Sequence, residues 1–263
     1  MVTLAGIFPP TQPPEQIGAV AAAAESAGLE QLWIWEDCFM ESGIATATAM
    51  LATTSRITVG IGLLPVPLRN VALTAMEIAT LSRLFPGRLI AGVGHGVLDW
   101  MGQAGARVES PMTLLREYTA ALYALLHGET VTTRGRYVNL DAVALDWPPA
   151  VVPPLLVGGI KPRTVSLAGE LADGVIIPGG VSPEEVRTSV GQLHGQRSTG
   201  RGPADVVVFI STPAGRPAAA VAATVSEYAA AGATHVAVNA AEDDADLERF
   251  AGFLAREVGP LLR

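Results

Sequence analysis

The sequence predicts an α/β fold, a (β/α)8 barrel, and three observations carry that prediction. Eight short apolar runs alternate with stretches of helical composition along 263 residues, a length that one α/β barrel commonly occupies. The runs tend to end in glycine- or proline-rich breaks. One local pattern (alanine-rich helix, glycine, polar residue, apolar strand) recurs at ESAGLEQLWIW, LAGELADGVII and AAAGATHVAV. That pattern is a helix closed by a C-terminal glycine and followed by a strand buried on both faces. A doubly wound open sheet is the alternative on the same evidence. No composition shift marks a linker, so residues 1–263 read as a single domain.

Taken in order, Val2 to Phe8 is a short apolar strand ended by Pro9-Pro10. Glu15 to Ala27 is helical with Gly28 as its stop, and Leu32 to Trp35 is a second strand that breaks into Glu36-Asp37-Cys38. A small-residue helix, Gly43 to Thr53, leads to the third strand at Ile57, which ends at Gly62-Leu63-Leu64-Pro65. Val71 to Leu84 is the next helix, and Arg88 to Val93 the fourth strand, ending in Gly92-Val93-Gly94-His95-Gly96. A long excursion separates strands four and five. Pro111, suited to a first helical turn, opens a helix running to His127-Gly128. Glu129 to Leu140 alternates β-formers around Arg134-Gly135 and reads as a surface hairpin.

Leu155 to Val157 is the fifth strand and ends in Gly158-Gly159. Helix Pro162 to Ala172 and strand Gly174 to Ile177 follow, the latter closing on Gly179-Gly180. Glu184 to Leu193 is helical, Gly195 to Pro203 a polar loop, and Asp205 to Ile210 the seventh strand. Helix Pro217 to Ala231, strand His235 to Val238 and a helix from about Asp244 to Leu262 complete the series.

Composition excludes several function classes. Mean hydropathy is high at +0.38, yet no uninterrupted apolar stretch approaches the ~20 residues a membrane span needs. A net charge of −8 argues against a general nucleic-acid binder. One cysteine, Cys38, precludes an internal disulfide and a thiolate metal cluster, and no metal site is expected. With no basic leader before VTLAGIF, a cytoplasmic protein is expected.

In a parallel barrel the strand-end breaks converge on the carboxyl edge, where such folds bind ligands. Glu36 and Asp37 form an acidic pair there, able to exchange a proton if one raises the other's pKa, or else a helix cap. His95, bracketed by Gly94 and Gly96, suits close approach of a flat ligand and hydrogen bonding to a carbonyl. Gly62-Leu63 reads either as a bulge presenting backbone atoms or as a simple kink. Gly158-Gly159 before Lys161-Pro162-Arg163 suits a phosphate, or is a plain strand-to-helix turn. Trp33, Trp35, Trp100 and Trp147 can wall a pocket, although tryptophan in a strand more often belongs to a core.

The segments WIWEDCF, RITVGIGLLPVPLRNVALTAMEIATLSRLFPGRLIAGVGHGVLDWM and LLVGGIKPRTVSLAGELADGVI resemble the bacterial luciferase-like superfamily, in its branch that uses the deazaflavin coenzyme F420. The similarity runs from strand one to about Val186 and returns over Pro217 to Val238. It implies a TIM-type barrel and an oxidoreductase that exchanges a hydride with a small organic substrate. It also implies Asp37, with Glu36, facing the deazaflavin, and His95 near the ring or substrate. A non-proline cis peptide at Gly62–Leu63 would lie behind the ring with Leu64 beside it. Gly94 and Gly96 would line the ring, Gly158 and Gly159 would hold the phosphate-bearing tail, and Gly179 and Gly180 would lie nearby. The implied partners are a small-molecule substrate and, at most, a second copy of the chain. An FMN-dependent monooxygenase and a non-catalytic flavin- or deazaflavin-binding relative are the alternatives.

Two features depart from the family. Asp37-Cys38 and Val97 stand where sugar- and alcohol-using relatives carry Asp-His and an acid. The segment after strand seven is also shorter, which removes part of the family's helical cover.

Overall fold

A computed structural model describes residues 2–197, 201–242 and 246–262. Eight parallel strands close into a barrel: β1 (Thr3–Phe8), β2 (Gln31–Ile34), β3 (Thr58–Pro65), β4 (Leu89–Gly94), β7 (Leu155–Gly158), β8 (Gly174–Ile177), β9 (Asp205–Thr212) and β10 (His235–Ala240). Each strand pairs with its neighbour in chain order, and β1 closes the ring against β10. The TIM-type barrel is thus the observed architecture. The remaining pair, β5 (Val131–Arg134) and β6 (Asn139–Val143), is the antiparallel hairpin expected in the excursion after β4.

Helices α1 (Ile17–Ala27), α2 (Gly43–Thr53), α3 (Val71–Leu84), α5 (Pro111–Leu126), α6 (Pro162–Leu171), α7 (Pro183–Gly195) and α8 (Ala218–Ala230) connect the strands. Their starts are encoded locally. Asn70 accepts the Ala72 N–H at 2.9 Å, and Ser182 with Glu185 forms a capping box. A short helix, α4 (Leu98–Gln103), was not expected, because six residues are too few to show a 3.6-residue period. The last helix also differs from expectation. Asp244 lies outside the described residues, α9 covers Leu247–Phe253, and the chain continues through a wide turn at Leu254–Val258 into a tight one at Gly259–Leu262. Strand β2 stops at Ile34, leaving Trp35 in the loop, and α7 takes in Gly195 at the start of the expected polar loop. No helix among the described residues is long and apolar enough to cross a membrane.

Alternation along the strands divides the apolar residues into two sets. Outward-facing side chains pack against the helices, while Ala5, Ile7, Trp33, Ile90, Leu156, Ile176, Val207, Phe209 and Ala237 fill the barrel. Trp33 is wholly buried, its indole Nε1–H donating to Gln31 Oε1 at 2.9 Å. Its ring occupies the space a β-carbon would take at Gly60, so a large residue on one strand is matched by none on the next. At the opposite edge from the expected site, Glu25 accepts the backbone N–H groups of Ser55, Arg56 and Ile57 and holds the turn into β3.

Candidate active site

Strands β2, β3, β4, β7, β8 and β9 all contribute to one cavity of 460 Å3 at their carboxyl ends. Asp37, Gly62, Leu63, His95, Gly96, Gly158, Gly159 and Gly179 lie on its wall, and so does part of Glu36. Residues spread over more than 140 positions of chain are therefore brought together.

The two neighbouring carboxyls differ in their surroundings. Glu36 is 8% exposed; its Oε2 accepts the Gly43 N–H at 2.6 Å, and its Oε1 forms an ion pair with Arg69. Arg69 also reaches Glu77 through Nε at 3.4 Å. Both oxygens of Glu36 are thus occupied, and its role differs from the proton exchange expected of it. Its carboxylate ties the loop after β2 to the start of α2. Asp37 makes no such bond among the described residues, and burial pushes its pKa up from the ordinary 3.8.

The Gly62–Leu63 peptide is cis, as is Cys38–Phe39. Pairing between β3 and β4 slips between Ile61 and Leu64, so the bulge reading of this segment holds. Its effect is to separate the two leucines. Leu63 faces the cavity, whereas Leu64 is buried on the outer side of the sheet beside Gly43 of α2. Leu64 is accordingly corrected from a ligand-facing residue to a core residue.

Leu63 rests in a notch made by two glycines. A β-carbon at Gly94 or at Gly158 would overlap its Cδ2. Gly94 therefore supports Leu63 from behind and is not itself on the cavity wall, contrary to expectation. Gly180, with φ of 84°, serves a turn beyond the wall and is likewise corrected. Gly159 has φ of 147°, a side chain there would meet Thr164 Cγ2 at 2.8 Å, and its N–H donates to Ile176 O at 2.9 Å. Lys161 and Arg163 stand exposed where α6 begins, just past this turn.

His95 Nε2 lies 3.4 Å from Thr164 Oγ1, linking the end of β4 to the first turn of α6. Burial pushes its pKa below the usual histidine range; the Pro111 backbone opposes that shift and the charge of Lys161 adds to it. The ring is therefore neutral at neutral pH. His235 starts β10 at the other end of the barrel, with Nδ1 2.8 Å from Thr234 Oγ1.

Trp35, Trp100 and Phe209 supply aromatic walls, with Trp35 and Phe209 centroids 5.9 Å apart. Trp33 belongs to the core, and Trp147 is exposed beneath the guanidinium of Arg83. Phe209 was missed by sequence reasoning. Its only signal is an inward register position in β9, which cannot be read before the strand is placed. A larger cavity of 620 Å3 lies at the ends of β9 and β10, lined in part by the short Pro213–Pro217 connection, and contains none of the expected site residues.

Residues 2–258 match the family model described as luciferase-like monooxygenase. The chain belongs to that family. Among its luciferase-like relatives is a 5,10-methylenetetrahydromethanopterin reductase from Methanolobus tindarius, 31% identical over 76% of this chain and 61% of its own. An F420-dependent glucose-6-phosphate dehydrogenase from Nakamurella multipartita is 30% identical over 65% of this chain and 54% of its own. The matches thus span less than two thirds of these relatives' length. The solved coenzyme F420-dependent tetrahydromethanopterin reductase from Methanopyrus kandleri superposes with a TM-score of 0.85, covering 100% of this chain and 99% of that one at 20% identity. This luciferase-like chain therefore has the barrel of its structural relatives, with a glycine-notched cavity at the strand ends.

Proposed function

We propose that the protein is an F420-dependent oxidoreductase that exchanges a hydride with a small organic substrate. The observation that carries this reading is the cavity itself. Leu63, seated on Gly94 and Gly158, presents an apolar side chain to a space walled by Trp35, Trp100 and Phe209, a lining suited to a planar ring. The Gly158–Gly159 turn with Lys161 and Arg163 at the start of α6 suits a phosphate-bearing tail. These residues fit a deazaflavin coenzyme, and similarity to F420-dependent glucose-6-phosphate dehydrogenases points the same way.

The bound coenzyme supplies the hydride chemistry, and the chain supplies orientation and proton handling. Asp37 is suited to donate a proton because burial favours its neutral carboxylic acid. Neutral His95 is suited to hydrogen-bond a carbonyl or accept a proton on the neighbouring wall. The aromatic walls exclude water from the ring.

The test is anaerobic titration of the protein with oxidised and reduced F420, with FMN in parallel. Saturable binding of F420, weakened in Gly158→Asp, is the expected outcome. Binding of FMN alone, with oxygen consumption on reduction, assigns the monooxygenase reading instead. Failure to bind F420 in either redox form ends the proposal.

A further inference from the structure

The wall of the cavity is apolar and short of cations. Trp35, Leu63, Val97, Trp100 and Phe209 make up much of it, and among the described residues no lysine or arginine lines it. Arg69 stands behind the wall but is committed to Glu36 and Glu77. Lys161 and Arg163 sit outside it, at the start of α6. An anionic substrate group entering here would meet apolar side chains and the Asp37 carboxyl, with no lysine or arginine on the wall to compensate it. A buried charge without a partner is strongly disfavoured, so this wall selects against it.

The apolar surface continues past the mouth. Val97 lines the cavity and is still 47% exposed, Leu98 next to it is exposed to the same extent, and Phe39 follows two residues after Asp37 at 65%. An apolar wall that stays open at its rim through Val97 suits an apolar ligand.

Resting on the reading of this cavity as the site of a deazaflavin oxidoreductase, we propose that its substrate is an uncharged, predominantly apolar compound with a single polar handle such as a ketone oxygen. Phosphorylated and carboxylated substrates are rejected. Val97 is a specificity-determining residue in this arrangement, because it holds an apolar side chain at the rim where a basic one would receive an anion.

Calorimetric titration of the coenzyme-saturated protein with acetophenone, benzoate and phenyl phosphate tests this, repeated on protein without coenzyme. These probes share one ring and differ in charge. Acetophenone is expected to bind at least about tenfold more tightly than either anion. Val97→Arg should close or reverse that gap, while Val97→Gln, similar in length but uncharged, should preserve the order. Benzoate or phenyl phosphate binding as tightly as acetophenone overturns the proposal, and so does the absence of acetophenone binding at millimolar concentration. Coenzyme binding is read separately. Its loss with the ligand order preserved counts against the oxidoreductase reading alone, and its presence with the order reversed counts against the substrate class alone.

Discussion

Leu63 occupies the space that a β-carbon at Gly158 would need. The two residues are far apart in sequence and sit on β3 and β7, strands that do not pair with each other; β4 lies between them and contributes Gly94 to the same notch. Gly158→Ala should therefore push Leu63 into the cavity. Overpacking of this kind costs about 1–3 kcal/mol. Thermal unfolding should show that loss, and Gly158→Ala/Leu63→Ala should regain part of it while binding the coenzyme more weakly than the parent.

The Glu36–Arg69 pair is expected to behave as a structural clamp. Arg69→Met leaves a nearly buried carboxylate with only the Gly43 N–H for company, at a cost of about 3 kcal/mol. Glu36→Gln keeps an acceptor for Gly43 and should cost less. The double variant, Glu36→Gln with Arg69→Met, should be more stable than Arg69→Met alone, which denaturant unfolding of the four proteins will measure. Additive losses would show that the two side chains do not act together.

Asp37 gives a pH dependence with a defined sign. Burial raises its pKa in the folded chain above the ordinary 3.8. Between those two values the folded state holds more proton than the unfolded state, so this group's contribution to stability falls as pH rises through the window and is constant above it. Asp37→Asn should remove that slope. Unfolding free energies measured from acid to neutral pH will show a flatter profile in the variant, and an unchanged profile would place the titration elsewhere.

His95 gives the opposite slope. Its folded pKa lies below the ordinary 6.5, so the unfolded state takes up the proton first as pH falls. The stability present above 6.5 is lost on acidification through the folded value. His95→Gln should abolish that loss, and an NMR titration of the imidazole should find its midpoint below 6.5.

Glu117 of α5 accepts the backbone N–H groups of Arg136, Tyr137 and Val138 and fastens the β5–β6 hairpin to the barrel. Glu117→Ala should leave the barrel folded and release the hairpin. Hydrogen exchange at those three amides should accelerate by roughly tenfold or more, for a local cost of about 1–2 kcal/mol.

Much of this site was legible along the chain. Glycine-broken strand ends at Gly62, Gly94 to Gly96 and Gly158-Gly159 are local signals, because a missing side chain and an interrupted apolar run occupy a few consecutive positions. The alternation of strands and helices likewise appears in windows of ten or so residues, which is why the barrel could be anticipated. Three features were not accessible in this way. Glu36 finds Arg69 across 33 positions, and nothing in either neighbourhood announces the pair. Leu63 and Leu64 are identical in type and adjacent, yet the bulge in β3 turns one to the cavity and the other to the core. Phe209 enters the cavity because β9 takes one register against its neighbours and not the next.

The amino-acid sequence by itself determined the order and kind of elements and the glycine breaks at their ends, since those depend on the conformational preferences of short segments. Closure of the ring decided which side chains meet: it set the inward face of each strand, committed the Glu36 carboxylate to Arg69, and left Asp37 as the half-buried carboxyl at the mouth. The physical reason is that burial and ion pairing are properties of neighbours in space, and those neighbours exist only once all eight strands have found their register.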